Sequence, residues 1–239
     1  MSEAEATASS RHTRRGGVIG FLRDLLVIIL IAVLLSFLLR TFFVRSFFIP
    51  SESMQHTLEI DDRILVNQLV PELVPVHRGD IVVFKDPGGW LLPRGTEPPR
   101  GFAKFLQSIG LAADTSNEYV VKRVIGVGGD RVACCDAQGR MTVNGVPLTE
   151  PYIVKPEGEE RASAIDFDVT VPEGSLWVMG DNRYQSKDSR YNQDQPGRGF
   201  VPEDEVVGRA FVLNWPLDRF TWLGSPKGTF TGVDAAKEN

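Results

Sequence analysis

Two cysteines and three histidines are all this chain of 239 residues has of the commonest soft metal ligands. The cysteines are adjacent, Cys134 and Cys135, and cannot staple distant strands, so a disulfide framework is excluded. Outside a reducing compartment they could close on each other as a vicinal disulfide; otherwise they are two free thiols on opposite faces of a strand. His12, His56 and His77 are scattered, and no cluster has the spacing of a zinc site, so no metal is expected. A strong basic excess is also missing. There are 26 basic and 31 acidic residues, a net charge of −5, which argues against nucleic acid as a partner. A phosphate-binding glycine loop is absent too. "GVGGD" at 126–130 lacks the full GxGxxG and no helical pattern follows it, so it reads as a turn between strands and no cofactor is expected.

Long hydrophobic runs are scarce, and the one present is pronounced. Residues 25–39 read LLVIILIAVLLSFLL, apolar but for Ser36. As a helix this run is about 22 Å long, short of a hydrocarbon core of roughly 30 Å. Extension back through Val18–Leu22 or forward through Phe42–Val44 completes a span, with Arg40 able to snorkel in the second case. A transmembrane anchor over 18–44 is therefore predicted, after a basic tail over 1–17. A cleaved signal peptide fits poorly, because "RTFFVRSFFIP" follows where a small-x-small site would be needed. A buried core helix is the blander alternative. Arg11, Arg14, Arg15 and Arg23 precede or open the span and favour an N-terminus in the cytoplasm, although Arg40 and Arg45 lie on the far side.

After the anchor the chain reads as strands and turns. "DIVVF" at 80–84, "EYVVKRVIGV" at 118–127, "SLWVMGDN" at 175–182 and "VVGRAFVLNWP" at 206–216 are rich in valine, isoleucine and aromatics and bounded by turn residues. "RVACCDAQGRMTVNGVPL" reads as strand, turn, strand and a second turn at Asn144–Gly145. The pattern predicts a mainly β body: a catalytic core over 45–132 and 175–224, a small β insert over 133–174, and a flexible tail over 225–239. Residues 87–117 break the pattern. A Pro/Gly-rich stretch leads into "FAKFLQSIGL", a possible short helix that either packs on the core or wedges into a membrane surface.

Two stretches hold reactive side chains. "PSESMQHTL", Pro50 to Leu58, sets two serines around Glu52. His56 is near in sequence, but nothing around it is built to orient it. Lys122 offers another base. In a strand it shares a face with Val120 and Val124, and an apolar face lowers a lysine pKa. A drop of about 2–3 units would poise it for proton transfer near neutral pH; a lysine snorkelling from a strand edge is the plain alternative. "GDNRYQSKDSRY" at 180–191 is dense in Gly, Asp, Asn and Ser and reads either as a functional loop or as a polar turn.

Taken together, "PSESMQHTL", "RGDIVVF", "YVVKRVIGVGGDRV", "VMGDNRYQSKDSRY" and "GFVPEDEVVGRA", in that order behind an N-terminal anchor, resemble the type I signal peptidases, membrane-anchored serine proteases with a Ser/Lys dyad. The resemblance implies a signal-peptidase-like antiparallel β-sheet domain. It implies Ser53 as nucleophile and Lys122 as general base. It implies Ser51 and the Ser53 backbone N–H as oxyanion donors, Ser186 as the residue orienting the lysine, and Asp188 with Arg190 as a structural ion pair. Ile49, Pro50, Met54 and Val121 would line the pockets for small substrate residues. The implied partners are signal peptides of exported pre-proteins and the lipid bilayer, with neither nucleic acid nor metal. The implied location is the cell membrane, single-pass, with the catalytic domain outside the cytoplasm. Three positions depart from the family pattern: His56 and Gly128 stand where proline is usual, and Val120 where an aromatic is frequent. Ser53 lies fourteen residues beyond Leu39, at most about 50 Å of extended chain, within reach of a bilayer. Phe42, Phe43, Phe47 and Phe48 either seat the body at the interface or pack in its core. The rival readings are a self-cleaving Ser/Lys repressor-type protease, an anchored scaffold with a dead site, and a serine protease with His56 as base.

Overall fold

The computed structural model describes residues 15–91, 101, 119–226 and 228–237. Residues 1–14 of the basic tail and the short helix expected in "FAKFLQSIGL" lie outside them.

The chain divides into two units, Met1–Leu39 and Arg40–Asn239. The first is carried by helix α1, Arg15–Phe42. Its Gly20–Phe37 stretch is long and apolar enough to cross a membrane, by length and composition. The helix covers the backward extension through Val18–Leu22 and, of the forward one, only Phe42. The span does not reach Val44, because strand β1, Val44–Phe48, begins there.

The second unit is mainly β. Strands β2 (Arg63–Asn67), β3 (Ile81–Lys85), β4 (Tyr119–Val127) and, later in the chain, β9 (Ser175–Met179), β10 (Val201–Pro202), β11 (Val206–Trp215) and β12 (Thr221–Trp222) join β1 in one sheet. Its order is β1-β2-β11-β3-β4-β9-β10, with β12 on β11, and the pairings are antiparallel. A second antiparallel sheet is built from β5 (Arg131–Cys134), β6 (Met141–Val143), β7 (Val146–Pro147) and β8 (Phe167–Thr170), in the order β7-β6-β5-β8. Its strands begin at Arg131, two residues before the 133–174 stretch expected as an insert, because only the turn at Gly128–Asp130 separates β4 from β5.

Alternation along the strands distributes the core. On β3, Ile81 and Val83 join Phe47, Ile64, Val66 and Leu213 on one side, while Val82 and Phe84 join Val120, Val124 and Val178 on the other. Phe47 is thus a core residue, not an interface anchor. Trp177, Ile125 and Met179 meet Val132, Met141 and Val143 between the two sheets. Cys134 and Cys135 are bonded to each other at the edge of that cluster.

The C-terminal segment corrects an expectation. Residues 228–237 are docked, not loose, and end in a short helix α2, Val233–Lys237. Val233 is fully buried and Phe230 packs beside it. Thr229 Oγ1 donates to the Thr149 carbonyl, Asp234 pairs with Arg78, and Lys237 Nζ donates to the Gly128 carbonyl at 2.6 Å. Two apolar anchors in a polar stretch make too faint a pattern to read from sequence. The lysine thereby also ties down the turn at Gly128.

Candidate active site

Ser53 sits in a single turn of 3₁₀ helix, Glu52–Met54, that follows the extended residue Ser51. The turn is pinned from within and from outside. Leu58 N–H donates to the Met54 carbonyl at 2.8 Å, and Met54 and Leu58 are buried among Phe47, Ile49 and Ile64. Ser53 is itself 7% exposed, so its hydroxyl is nearly enclosed. Glu52 is exposed, as a solvated spacer would be.

Lys122 lies in the middle of β4, opposite Val82 of β3. Its side chain is 4% exposed. Nζ lies 2.7 Å from Ser53 Oγ and 3.0 Å from the Val121 carbonyl. Burial pushes its pKa down to about 8; the Asp188 and Asp181 carboxylates oppose that drop, and Arg190 adds to it. At pH 7 roughly one-tenth of such a lysine is neutral, about 300-fold more than of a free one. The neutral amine has a lone pair for the serine proton.

The loop after β9 supplies the support. Asp188 and Arg190 are both fully buried and form a two-pronged pair, Nε to Oδ1 and Nη2 to Oδ2, each at 2.8 Å. Burial alone would raise the Asp188 pKa, but Arg190 and the Gly180 N–H hold it below the usual carboxylate range. Arg190 further donates to Ser163 Oγ of the insert and to the Arg183 carbonyl. Each of its three guanidinium nitrogens is therefore hydrogen-bonded, as a buried guanidinium requires.

The other expected residues are placed as follows. Ser51 Oγ lies 3.3 Å from Ser53 Oγ, on the exposed side of the turn. Ile49, Met54 and Val121 share one apolar cluster, with Ile49 and Met54 covered and Val121 half-buried; Pro50 is exposed. Ser186 is buried against the site, near enough to Asp188 to help lower its pKa. Its Oγ nevertheless makes no hydrogen bond of normal geometry, and no bond to Lys122 is formed. Gly180 is what allows the approach: a Cβ there would stand 2.3 Å from both Ser186 Oγ and the Ser53 carbonyl oxygen. His56 is exposed and its backbone N–H is turned to Glu59, while Ser53 Oγ is held by Lys122.

Several supporting residues escape a reading of the sequence. Arg123, next to the lysine, is buried and pairs with Asp181 through Nε at 2.8 Å and Nη2 at 2.6 Å. It also donates to the Gly79 carbonyl and stacks over the Tyr152 ring. Thr57 donates to the same Asp181 carboxylate, tying the far end of the serine loop to β9's loop. Asn182 N–H donates to the Ser53 carbonyl at 3.1 Å. An arginine in mid-strand, on the same face as Val121 and Ile125, was the available signal, since a buried guanidinium demands a carboxylate; its partner stands 58 residues on and could not be named.

Residues 22–215 match the family described as signal peptidase, peptidase S26. A probable signal peptidase I of Mycobacterium leprae is 36% identical over 85% of this chain and 80% of its own. A signal peptidase I of Mycobacterium tuberculosis is 36% identical over 92% of this chain and 81% of its own. Another, from Leptolyngbya laminosa, is 36% identical over 74% of this chain and 71% of its own.

Proposed function

The chain belongs to the signal peptidase family, peptidase S26, and is a serine-type endopeptidase; from that premise we propose that it removes signal peptides from exported pre-proteins with a Ser53/Lys122 dyad, through an acyl-enzyme, at a membrane surface. The observation that carries the mechanism is the 2.7 Å contact between Lys122 Nζ and Ser53 Oγ inside a buried pocket.

Neutral Lys122 accepts the Ser53 proton as Oγ attacks the scissile carbonyl. The oxyanion that forms is stabilised by the Ser51 hydroxyl and the Ser53 N–H. The Lys122 ammonium then protonates the leaving amine, and the carbonyl remains esterified to Ser53. A water gives a proton to Lys122 as it attacks the ester; the bond from the carbonyl carbon to Ser53 Oγ then breaks, Oγ takes the proton back from Lys122, and the acid product leaves. Burial tunes the base without a histidine, and the Asp188–Arg190 and Arg123–Asp181 pairs hold its surroundings rigid.

The bilayer is supported by α1 and by a cluster of exposed apolar side chains on the body. Trp215, Leu217, Phe220 and Trp222 are 48%, 72%, 53% and 72% exposed around β12. Aromatics left in water at that density suit a membrane interface. The arginines before the span favour the N-terminus in the cytoplasm and the body on the outer side.

Cleavage of a pre-protein with a small residue before the scissile bond tests this reading. Ser53→Ala and Lys122→Ala should each abolish it. Retention of cleavage by both variants would falsify the dyad.

A further inference from the structure

Asn182 grips the serine loop at two points, one on each side of Met54. Its backbone N–H donates to the Ser53 carbonyl at 3.1 Å, and its side-chain Nδ2 donates to Gln55 Oε1 at 2.9 Å. Asn182 is 5% exposed, so neither bond competes freely with water. It is braced from behind as well. Val154 N–H donates to the Asp181 carbonyl at 2.8 Å and Arg183 N–H to the Val154 carbonyl at 3.1 Å, so an insert strand segment brackets Asn182 on its other edge.

Gln55 is the first residue after the 3₁₀ turn, with φ −50° and ψ 152°, and the left-handed His56, φ 74°, follows it. A chain reversing that sharply directly after the nucleophile has several competing paths. The backbone bond to Asn182 fixes the Ser53 carbonyl. The side-chain bond fixes the exit at Gln55. Together they define where Ser53 Oγ stands relative to Lys122 Nζ.

We propose that Gln55 and Asn182 are a positioning pair for the nucleophile, in which the side-chain bond between them holds the Ser53 turn at the distance the dyad requires. The proposal rests on Ser53 being the nucleophile. Gln55 touches no reacting atom; it acts through the turn. A positioning role of this kind enters the chemical step more than substrate binding, because Ile49 lies outside the turn and both Ile49 and Met54 are also anchored by their core packing.

The test is steady-state cleavage by the full chain in detergent micelles. Gln55→Met keeps the length of the side chain and removes the acceptor. It should lower kcat about fivefold to tenfold, as expected for one partly buried hydrogen bond, and leave KM within about twofold. The rise of kcat/KM with pH should keep its midpoint, since no charge has changed. Gln55→Glu keeps an acceptor for Asn182 Nδ2 and should recover kcat to within about threefold of the parent, read on the high-pH plateau. Gln55→Glu combined with Asn182→Asp faces two acceptors and should fall well below the product of the single effects. A Gln55→Met enzyme with parental kcat overturns the proposal, as does loss expressed in KM alone. So does a Gln55→Glu enzyme as slow as Gln55→Met. Ser53→Ala assayed alongside separates the two failures: if it abolishes cleavage while Gln55→Met is fully active, only the positioning pair is wrong.

Discussion

Replacing Lys122 by methionine should kill the enzyme and stabilise the fold at neutral pH. Burial lowers the lysine from 10.5 to about 8. Below pH 8 the folded protein must hold a charged ammonium where an apolar group would rest more favourably. A difference of 2.5 units corresponds to about 3 kcal/mol at 25 °C. Methionine removes that cost and fills nearly the same space beside Val120 and Val124. It also loses the bonds from Nζ to Ser53 Oγ and to the Val121 carbonyl, together about 1–2 kcal/mol. The net gain is about 1–2 kcal/mol, or roughly 2–8 °C in Tm for a body of this size. The sign of the pH dependence follows from the direction of the shift. The unfolded chain binds the proton more tightly than the folded one between about 8 and 10.5, so the parent gains stability as pH rises through that window. Above it lysine is neutral in both states and its burial costs nothing extra. The advantage of Lys122→Met should therefore shrink by about 2 kcal/mol between pH 7 and pH 10 and change sign. Denaturant unfolding of parent and variant in the same micelles, at both pH values, measures it. A variant less stable than the parent at pH 7, or a difference independent of pH, would refute the claim that burial sets the lysine's basicity.

Three further outcomes follow from the same geometry. With Lys122 titrating near 8, kcat/KM should climb about tenfold per pH unit at acidic pH and level off above 8, and a midpoint near 10 would show that the pocket does not tune the amine. Gly180→Ala puts a Cβ 2.3 Å from the Ser53 carbonyl and Ser186 Oγ, so the serine turn must move by about 1 Å and kcat should drop on the order of 100-fold; parental turnover would mean that the loop is free to yield. His56→Pro should cost more than about 2 kcal/mol and slow cleavage, because proline is locked near φ −65° and lacks the N–H given to Glu59. His56→Gly should stay within about 1 kcal/mol of the parent, and chemical denaturation of the pair checks both.

What the sequence makes legible divides by distance along the chain. The buried face of Lys122 follows from strand alternation with Val120 and Val124, three residues that are neighbours in sequence and in space. The two sheets follow from turn residues that punctuate short hydrophobic strands. Pairings across 58 or 127 residues, Arg123 with Asp181 and Gln55 with Asn182, have no local signature, because each partner sits in a stretch that is equally plausible as solvent-facing turn. The same holds for the docked end of the chain, where Val233 and Phe230 find a pocket made by strands a hundred residues earlier. His56 illustrates why comparing single positions is insufficient. Read from the sequence, it is a departure in a loop with no partner to orient it. In the fold it occupies a left-handed position that proline cannot enter, next to a glutamine whose side chain anchors the loop to Asn182. A proline at 56 in this chain would force the loop to leave Met54 by another backbone path, and with it would move Gln55, whose side chain reaches Asn182.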